Sequence, residues 1–339
     1  MPYDPTLRRP GDRRRFCFYA ERRGVSFEIA DPGSAYDVVV LSAGADITTW
    51  VHYRPGRAKI VYELLDSYLA VSPFELKSLL RGPAKFLARE TAGLALSYRR
   101  AMENMCRRAD AVVCSTEEQR AQILELTPNV HPILDFHGHL IGTRKHDYAR
   151  GDALHLVWEG LPENLRGFEG ILPALDEVGR DCPVFLHLVT DLRYGRLLGR
   201  YLKRSTEKRA RRLFDRIYLY QWNETMLAPI ATACDLAVIP ISEDDRLMQA
   251  KPENKLLLFW RMGVPTVASA TPAYVRTMEA CGLDMACHTT EDWVATVGRY
   301  GGDEASRRGA GERGREYSEQ EHGEERLLER WDRTFASLS

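Results

Sequence analysis

The segment Cys234–Ser269, CDLAVIPISEDDRLMQAKPENKLLLFWRMGVPTVAS, constrains the fold of this chain more than any other stretch. Leu236 to Pro240 is a short apolar run of the kind a strand buried on both faces requires, and Ser242 to Gln249 is a charged loop at that strand's carboxyl end. Pro252 opens a helix, where its missing N–H is harmless, and Gly263 followed by Pro265 closes it. Thr266 to Ser269 then resumes a strand. Strand, polar loop, helix and strand in that order define a parallel α/β unit, and ligands of open α/β sheets sit at the carboxyl ends of such strands.

The same alternation runs along the chain. Arg15 to Arg23 reads as helix, Val25 to Ala30 as extended, and Tyr36 to Ser42 and Ala58 to Leu64 as buried strands. Phe74 to Arg108 reads as a long helical region interrupted at Gly82-Pro83, followed by a strand at Ala111 to Cys114 and a helix over Glu117 to Leu126 capped by Ser115-Thr116. Val130 to Phe136 completes a first sheet, and the polar stretch Gly142 to Asp152 reads as a linker. A second sheet starts at Leu154 to Trp158 and continues through Val184 to Val189 and Ile217 to Tyr220. Helices are expected at Phe168 to Val178, Leu192 to Phe214, Glu224 to Thr232, Ala273 to Cys281 and Glu291 to Tyr300. Gly301 to Gly314 reads as a mobile turn, and Glu324 to Leu338 as a terminal helix. No repeat of fixed period occurs.

A length of 339 residues with 44% hydrophobic content supports two domains with substantial cores. The formal charge of −1, from 47 basic and 48 acidic residues, supplies no global field for nucleic acid, which is not expected as a partner. Seven cysteines form no Cys-x-x-Cys pair and no zinc-type spacing with histidine, so buried thiols in a reducing cytoplasm are expected. The basic start lacks an apolar core behind it and reads as no secretory signal. No run is long and apolar enough to span a bilayer.

Asn254 and Lys255 fall in the first turn of the Pro252–Gly263 helix, where unpaired N–H groups and the positive end of the macrodipole favour phosphate. Taken alone, Lys255 is an ordinary solvated lysine. Its surroundings resemble something more particular: Asn-Lys-Leu at a helix start, then Gly-Val-Pro-Thr-Val-Ala-Ser, is similar to the donor half of the GT-B nucleotide-sugar glycosyltransferases of bacterial glycan assembly. VWEGLPENLRGF resembles the strand, glycine loop and helix start that head that half, and YLYQWNETMLAPIATACDLAVIP resembles its middle.

The resemblance implies two facing Rossmann-like domains with a cleft between them: an acceptor-side domain at 1–145, a donor-binding domain at 152–320, and a C-terminal helix at 321–339 crossing back to the first. It implies that Gly160 lets a diphosphate approach the backbone, that Asn164, Arg166, Asn254 and Lys255 contact it, and that Gln221 and Trp222 lie beside the base. Many retaining relatives carry a Glu-x7-Glu pair whose positions here are Ala250 and Leu258. Glu253 and the loop residues Glu243, Asp244 and Asp245 are the nearby carboxylates left to bind sugar hydroxyls. An inverting lineage instead needs a base on the acceptor side. Asp66, after the strand KIVYELL, is the first candidate and His137, in DFHGHLIG, the second.

The expectation is therefore a cytoplasmic, metal-independent glycosyltransferase with a nucleotide-sugar as co-substrate and no cofactor. Its acceptor would be a glycan, lipid-linked or small-molecule hydroxyl. A same-fold nucleotide-sugar epimerase and a non-catalytic nucleotide-sugar-binding subunit are the alternatives. Leu76 to Arg100 mixes Lys77, Arg81, Lys85, Arg89, Arg99 and Arg100 with leucines and Phe86. It reads either as a solvated helix surface or as a peripheral contact with an anionic membrane.

Overall fold

The computed structural model describes residues 7, 13–42, 44–70, 76–196 and 202–338. The chain forms two compact units: Met1–Phe136 with Ala250–Pro252 and Glu324–Ser339, and His137–Gln249 with Glu253–Gly323.

Among the described residues, the first unit holds four parallel strands in chain order: β1 (Val38–Leu41), β2 (Lys59–Glu63), β3 (Ala111–Cys114) and β4 (Val130–Pro132). Their apolar runs bury both faces, as parallel sheets require. On one face Val39, Leu41, Ile60, Tyr62 and Val112 pack with Met105 and Ile123. On the other, Val61, Ala111, Val113 and Ile133 pack against Trp331. Trp331 belongs to the terminal helix Glu324–Ala336, which lies on the helix Phe16–Arg23 with the Trp331 ring 6.0 Å from Phe16 and 5.8 Å from Tyr19. Removing a buried ring of that size costs about 3–5 kcal/mol. Arg15, 1% exposed, lies just ahead of the Phe16–Arg23 helix and places Nε 2.7 Å from Glu63 and Nη1 2.8 Å from Asp135.

The strands of the second unit are β5 (Leu154–Glu159), β6 (Val184–Thr190), β7 (Arg193–Arg196), β8 (Leu202–Ser205), β9 (Ile217–Gln221), β10 (Leu236–Ile239), β11 (Thr266–Ser269) and β12 (Ala286–Cys287). β7 and β8 form a separate antiparallel hairpin, and the other six form a parallel sheet in the order β12-β11-β10-β5-β6-β9. The chain builds outward from β5 to β6 and β9, then returns to pair β10 on the other side of β5. The junction of β5 and β10 is thus the switch point of the sheet, where a crevice opens beyond the strand ends.

Three expectations are corrected. The helix Leu76–Leu87 runs through Gly82-Pro83, and the break comes at 88–97, where Arg89 has a left-handed φ of 57° and Ser97 caps the next helix, Tyr98–Arg108. Gly82 is needed for a close approach, since a Cβ there would lie 1.8 Å from the Ala95 carbonyl oxygen. The expected helical start at Phe74 lies outside the described residues. Within 192–214, read as one helix, the chain forms the β7–β8 hairpin and a short helix Thr206–Ala210. The basic residues there carry no apolar stripe of period 3.6 that would seat a longer helix.

The third correction concerns Gly301 to Gly314, which is helical: Thr290–Gly302 ends there and Asp303 caps a helix spanning Glu304–His322. Its buried positions are Arg307, Ala310, Gly311, Gly314 and Ser318, a helical stripe made mostly of small residues. A Cβ at Gly311 would lie 2.4 Å from the Gly263 oxygen, and one at Gly314 would lie 2.7 Å from Trp260. The glycines are the contact face of this helix on the helix Asn254–Arg261. Val25 to Ala30, read as extended, joins no sheet. The stretch read as a linker is anchored at two points: Lys145 donates to the Cys234 carbonyl at 2.8 Å, and Tyr148 to the Gly263 carbonyl at 2.8 Å.

Candidate functional site

At the head of the helix Asn254–Arg261, the cap residue Glu253 makes no side-chain capping hydrogen bond. Glu253, at the cap position, turns inward: it is 4% exposed, with Oε1 3.2 Å from the Thr277 hydroxyl and 3.3 Å from Arg276. Burial raises its pKa above the ordinary carboxyl value, against the pull of Arg276 and Thr277.

Lys255 reaches from the helix's first turn to the carboxyl end of β5. Its ammonium donates to the Glu159 carbonyl, lies 3.4 Å from the Glu159 carboxylate and sits 5.6 Å from the Trp158 ring centre. Gly160 completes this corner. A Cβ there would lie 2.9 Å from the Lys255 nitrogen and 2.7 Å from the Trp158 ring, so only glycine leaves the ammonium its place. Gly160 and Lys255, far apart in sequence, are brought together by the pairing of β10 with β5.

Across the same switch point, the loop after β5 meets the loop after β10. Asn164 and Arg166 lie in the 3-10 stretch Pro162–Gly170, and the Arg166 guanidinium contacts the Asp245 carboxylate. Gly167 permits this approach, because a Cβ there would fall 2.3 Å from the Pro240 carbonyl oxygen. The β10 loop is held by the Ser269 hydroxyl, which accepts from the Ile241 N–H at 2.9 Å. Between these loops lies a cavity of about 490 Å³ whose lining includes Arg166, Glu243, Asp244, Gln249, Ser269 and His288.

Lys255 and Arg166 are each matched by a carboxylate from a neighbouring loop. The four charges of Lys255, Arg166, Glu159 and Asp245 cancel, so an anion entering here competes with carboxylates already in contact with the cations. The matched pairs also hold both cations at the strand ends.

The remaining expected residues lie elsewhere. Gln221, at the end of β9, donates to Asp191 at 3.0 Å and accepts from the Leu192 N–H at 3.1 Å. It fixes the turn on which Trp222 stands half-buried, its main-chain N–H bonded to the Thr190 carbonyl at 3.0 Å. His137 is buried at the start of the second unit and precedes a single 3-10 turn, Gly138–Leu140. Asp66 belongs to the first unit, where the Tyr68 hydroxyl donates to its carboxylate at 3.1 Å. Glu159, Trp158 and Gly167 were absent from the expected set, and Asp245 was expected as a sugar-binding carboxylate rather than as the partner of Arg166. The Glu-Gly step ending β5 and the glycine after Arg166 are the sequence signals that mark their corner.

No family model matches the chain. No curated protein matches it in sequence. Solved structures do resemble it. A crystal structure of TarM aligns with a TM-score of 0.61 at 14% identity, over 88% of this chain and 54% of that one. A structure of S. aureus TarM in complex with fondaparinux, alpha-GlcNAc-glycerol and UDP gives 0.59 at 13% identity, over 88% and 55%. Anabaena HepE in complex with UDP-glucose gives 0.60 at 14% identity, over 89% of this chain and 79% of that one. The chain therefore spans little more than half the length of the TarM chains. The fold is GT-B, with two Rossmann-like domains.

Proposed function

We propose that this chain is a glycosyltransferase that moves a sugar from a nucleotide-sugar donor to a hydroxyl acceptor in glycan or polysaccharide assembly. The observation that carries the reading is the Lys255–Gly160 corner: an ammonium held at the switch point of a GT-B sheet, beside a glycine and in the first turn of the helix Asn254–Arg261. UDP and UDP-glucose, bound in the TarM and HepE structures, are the donor chemistry this reading extends to the present chain.

In this reading the donor diphosphate displaces Glu159 and Asp245 from Lys255 and Arg166. Asn164, Asn254 and the helix N–H groups add donors, and negative charge building on the leaving diphosphate is stabilised as the sugar carbon becomes electron-poor. Fixed cations in that role leave no need for a divalent metal, so turnover is expected to persist in EDTA. Gln221 and Trp222 border the base, Glu243 and Asp244 meet sugar hydroxyls, and Glu253 braces the helix through Arg276 and Thr277. Asp66, or failing that His137, deprotonates the acceptor. A cytoplasmic site of action is part of the reading, and among the described residues no helix is long and apolar enough to cross a membrane. Peripheral membrane contact would use Leu80, Leu87 and Leu96, which are 56%, 82% and 76% exposed near Arg89 and Arg100.

Lys255→Ala tests the central claim by calorimetric titration with UDP. Loss of a charged hydrogen-bond donor to phosphate is expected to weaken binding roughly 10- to 150-fold, from ~1.5–3 kcal/mol per such bond. Unchanged affinity would falsify the donor site. One observation favours a second reading, a nucleotide-sugar-binding subunit without catalysis: Leu258, buried at 4%, stands where retaining relatives carry a glutamate. Donor binding with no hydrolysis and no transfer, even with acceptor extracts, would select it. Release of nucleotide and an altered sugar without acceptor would mark an epimerase.

A further inference from the structure

The first unit contains a cavity of about 530 Å³, well apart in sequence from the donor corner. Ligand-sized pockets span ~300–1,000 Å³. One wall is β1, which pairs only with β2, so its outer ladder edge has no strand partner among the described residues. The sequence of that strand, VVVL, carries none of the lysines, prolines or bulges that protect an open edge. The other wall is Val25–Ala30. There Val25, Phe27 and Ile29 alternate with Ser26 and Glu28 in the period of a strand, and each of the three is more than 40% exposed. Past the Val25 N–H, which bonds to Ala20, no main-chain hydrogen bond forms through Ala30 among the described residues. The charged residues lining the cavity, Glu28, Asp37 and Glu63, are all acidic.

We propose that this slot receives a β-strand of a partner polypeptide, about four residues long to match β1, apolar at alternate positions and flanked by lysine or arginine. A peptide strand is the occupant that satisfies both walls at once. It supplies N–H and C=O groups to β1 and to Val25–Ala30, while its side chains meet the valines and Phe27. An acyl chain would cover the apolar surface but leave those main-chain groups without partners, each at a cost of ~1–3 kcal/mol. Basic flanking residues answer Glu28 and Asp37, which are both exposed.

The experiment is a fluorescence-anisotropy titration of the full chain with a labelled peptide, Lys-Val-Thr-Val-Leu-Val-Lys. Saturable one-to-one binding is expected, with new hydrogen-exchange protection at 38–41. Methylating alternate peptide nitrogens should weaken it roughly 10-fold by removing ladder donors. Glu28→Lys combined with Asp37→Lys, both at exposed positions, should weaken it several-fold at low salt and leave UDP affinity unchanged. Equal binding by the methylated peptide, or displacement by dodecanoate, would overturn the proposal in favour of an apolar-chain pocket. Sedimentation showing a dimer that protects residues 25–41 without peptide would overturn it in favour of a second copy. Absence of binding at millimolar peptide would overturn it outright.

Discussion

The two parallel sheets are built from similar apolar strands and differ in how the chain winds through them. In the second unit, strand order reverses at β5, and the reversal gathers Gly160, Lys255, Arg166 and Asp245 at adjacent strand ends. In the first, β1 to β4 follow chain order without reversal, and the buried charged group is a structural one, Arg15 between Glu63 and Asp135. Charged side chains at strand ends thus have two uses here. At the reversal the cations are 25% and 41% exposed and within reach of a ligand, whereas Arg15 is sealed against solvent.

The largest expected effect breaks the sealed pair. Glu63→Ala leaves Arg15 buried with half its counter-charge, which costs about 3–5 kcal/mol in comparable sites. Hydrogen exchange should rise in β2 and β3, and protection in β5 and β10 should hold; loss in both sheets alike would erase the distinction drawn between them. A smaller change is expected at the exposed pair. Glu159→Gln removes the carboxylate that competes for Lys255 and should tighten UDP binding several-fold, on the order of 1 kcal/mol. Weaker binding would show instead that Glu159 is needed to hold Lys255 in place.

The smallest effect separates a buried carboxyl from both pairs. Because burial raises the Glu253 pKa, the folded chain holds that proton more tightly than the unfolded one. Its contribution to stability is therefore greatest below the unfolded value of ~4.3 and declines as pH rises through the folded pKa. Glu253→Gln should flatten that decline and raise Tm at neutral pH by about 2–4 °C, corresponding to ~1 kcal/mol. A Tm that falls at neutral pH would mean that Arg276 outweighs burial.

Much of the architecture was legible because apolar runs such as VVVL, LHLVWE and LAVI announce buried strands, and Pro252 and Gly263 bracket a helix. The GT-B expectation rested on the resemblance around Asn254-Lys255-Leu256 and Gly263-Val264-Pro265, and the observed order of elements agrees with it. What stayed hidden depended on side chains meeting across the sheet. Nothing local links Glu159 to Lys255 or Arg166 to Asp245, and the inward turn of Glu253 is decided by Arg276 and Thr277 on a later helix. The Glu304–His322 helix was missed for another reason. A search for apolar periodicity passes over a stripe whose contact residues are glycine, alanine and serine.

That stripe divides the glycines of the C-terminal region into two kinds with opposite tolerance to change. Gly302 and Gly309 face open space, so alanine at either should be accepted and even favoured by helix propensity, by up to ~1 kcal/mol. Gly311 and Gly314 have no such latitude. An added methyl at either would move the whole helix off Trp260 and the Gly263 backbone. A saturation scan of residues 302 to 318 should therefore show two intolerant glycines one helical turn apart, in a segment whose composition looks dispensable.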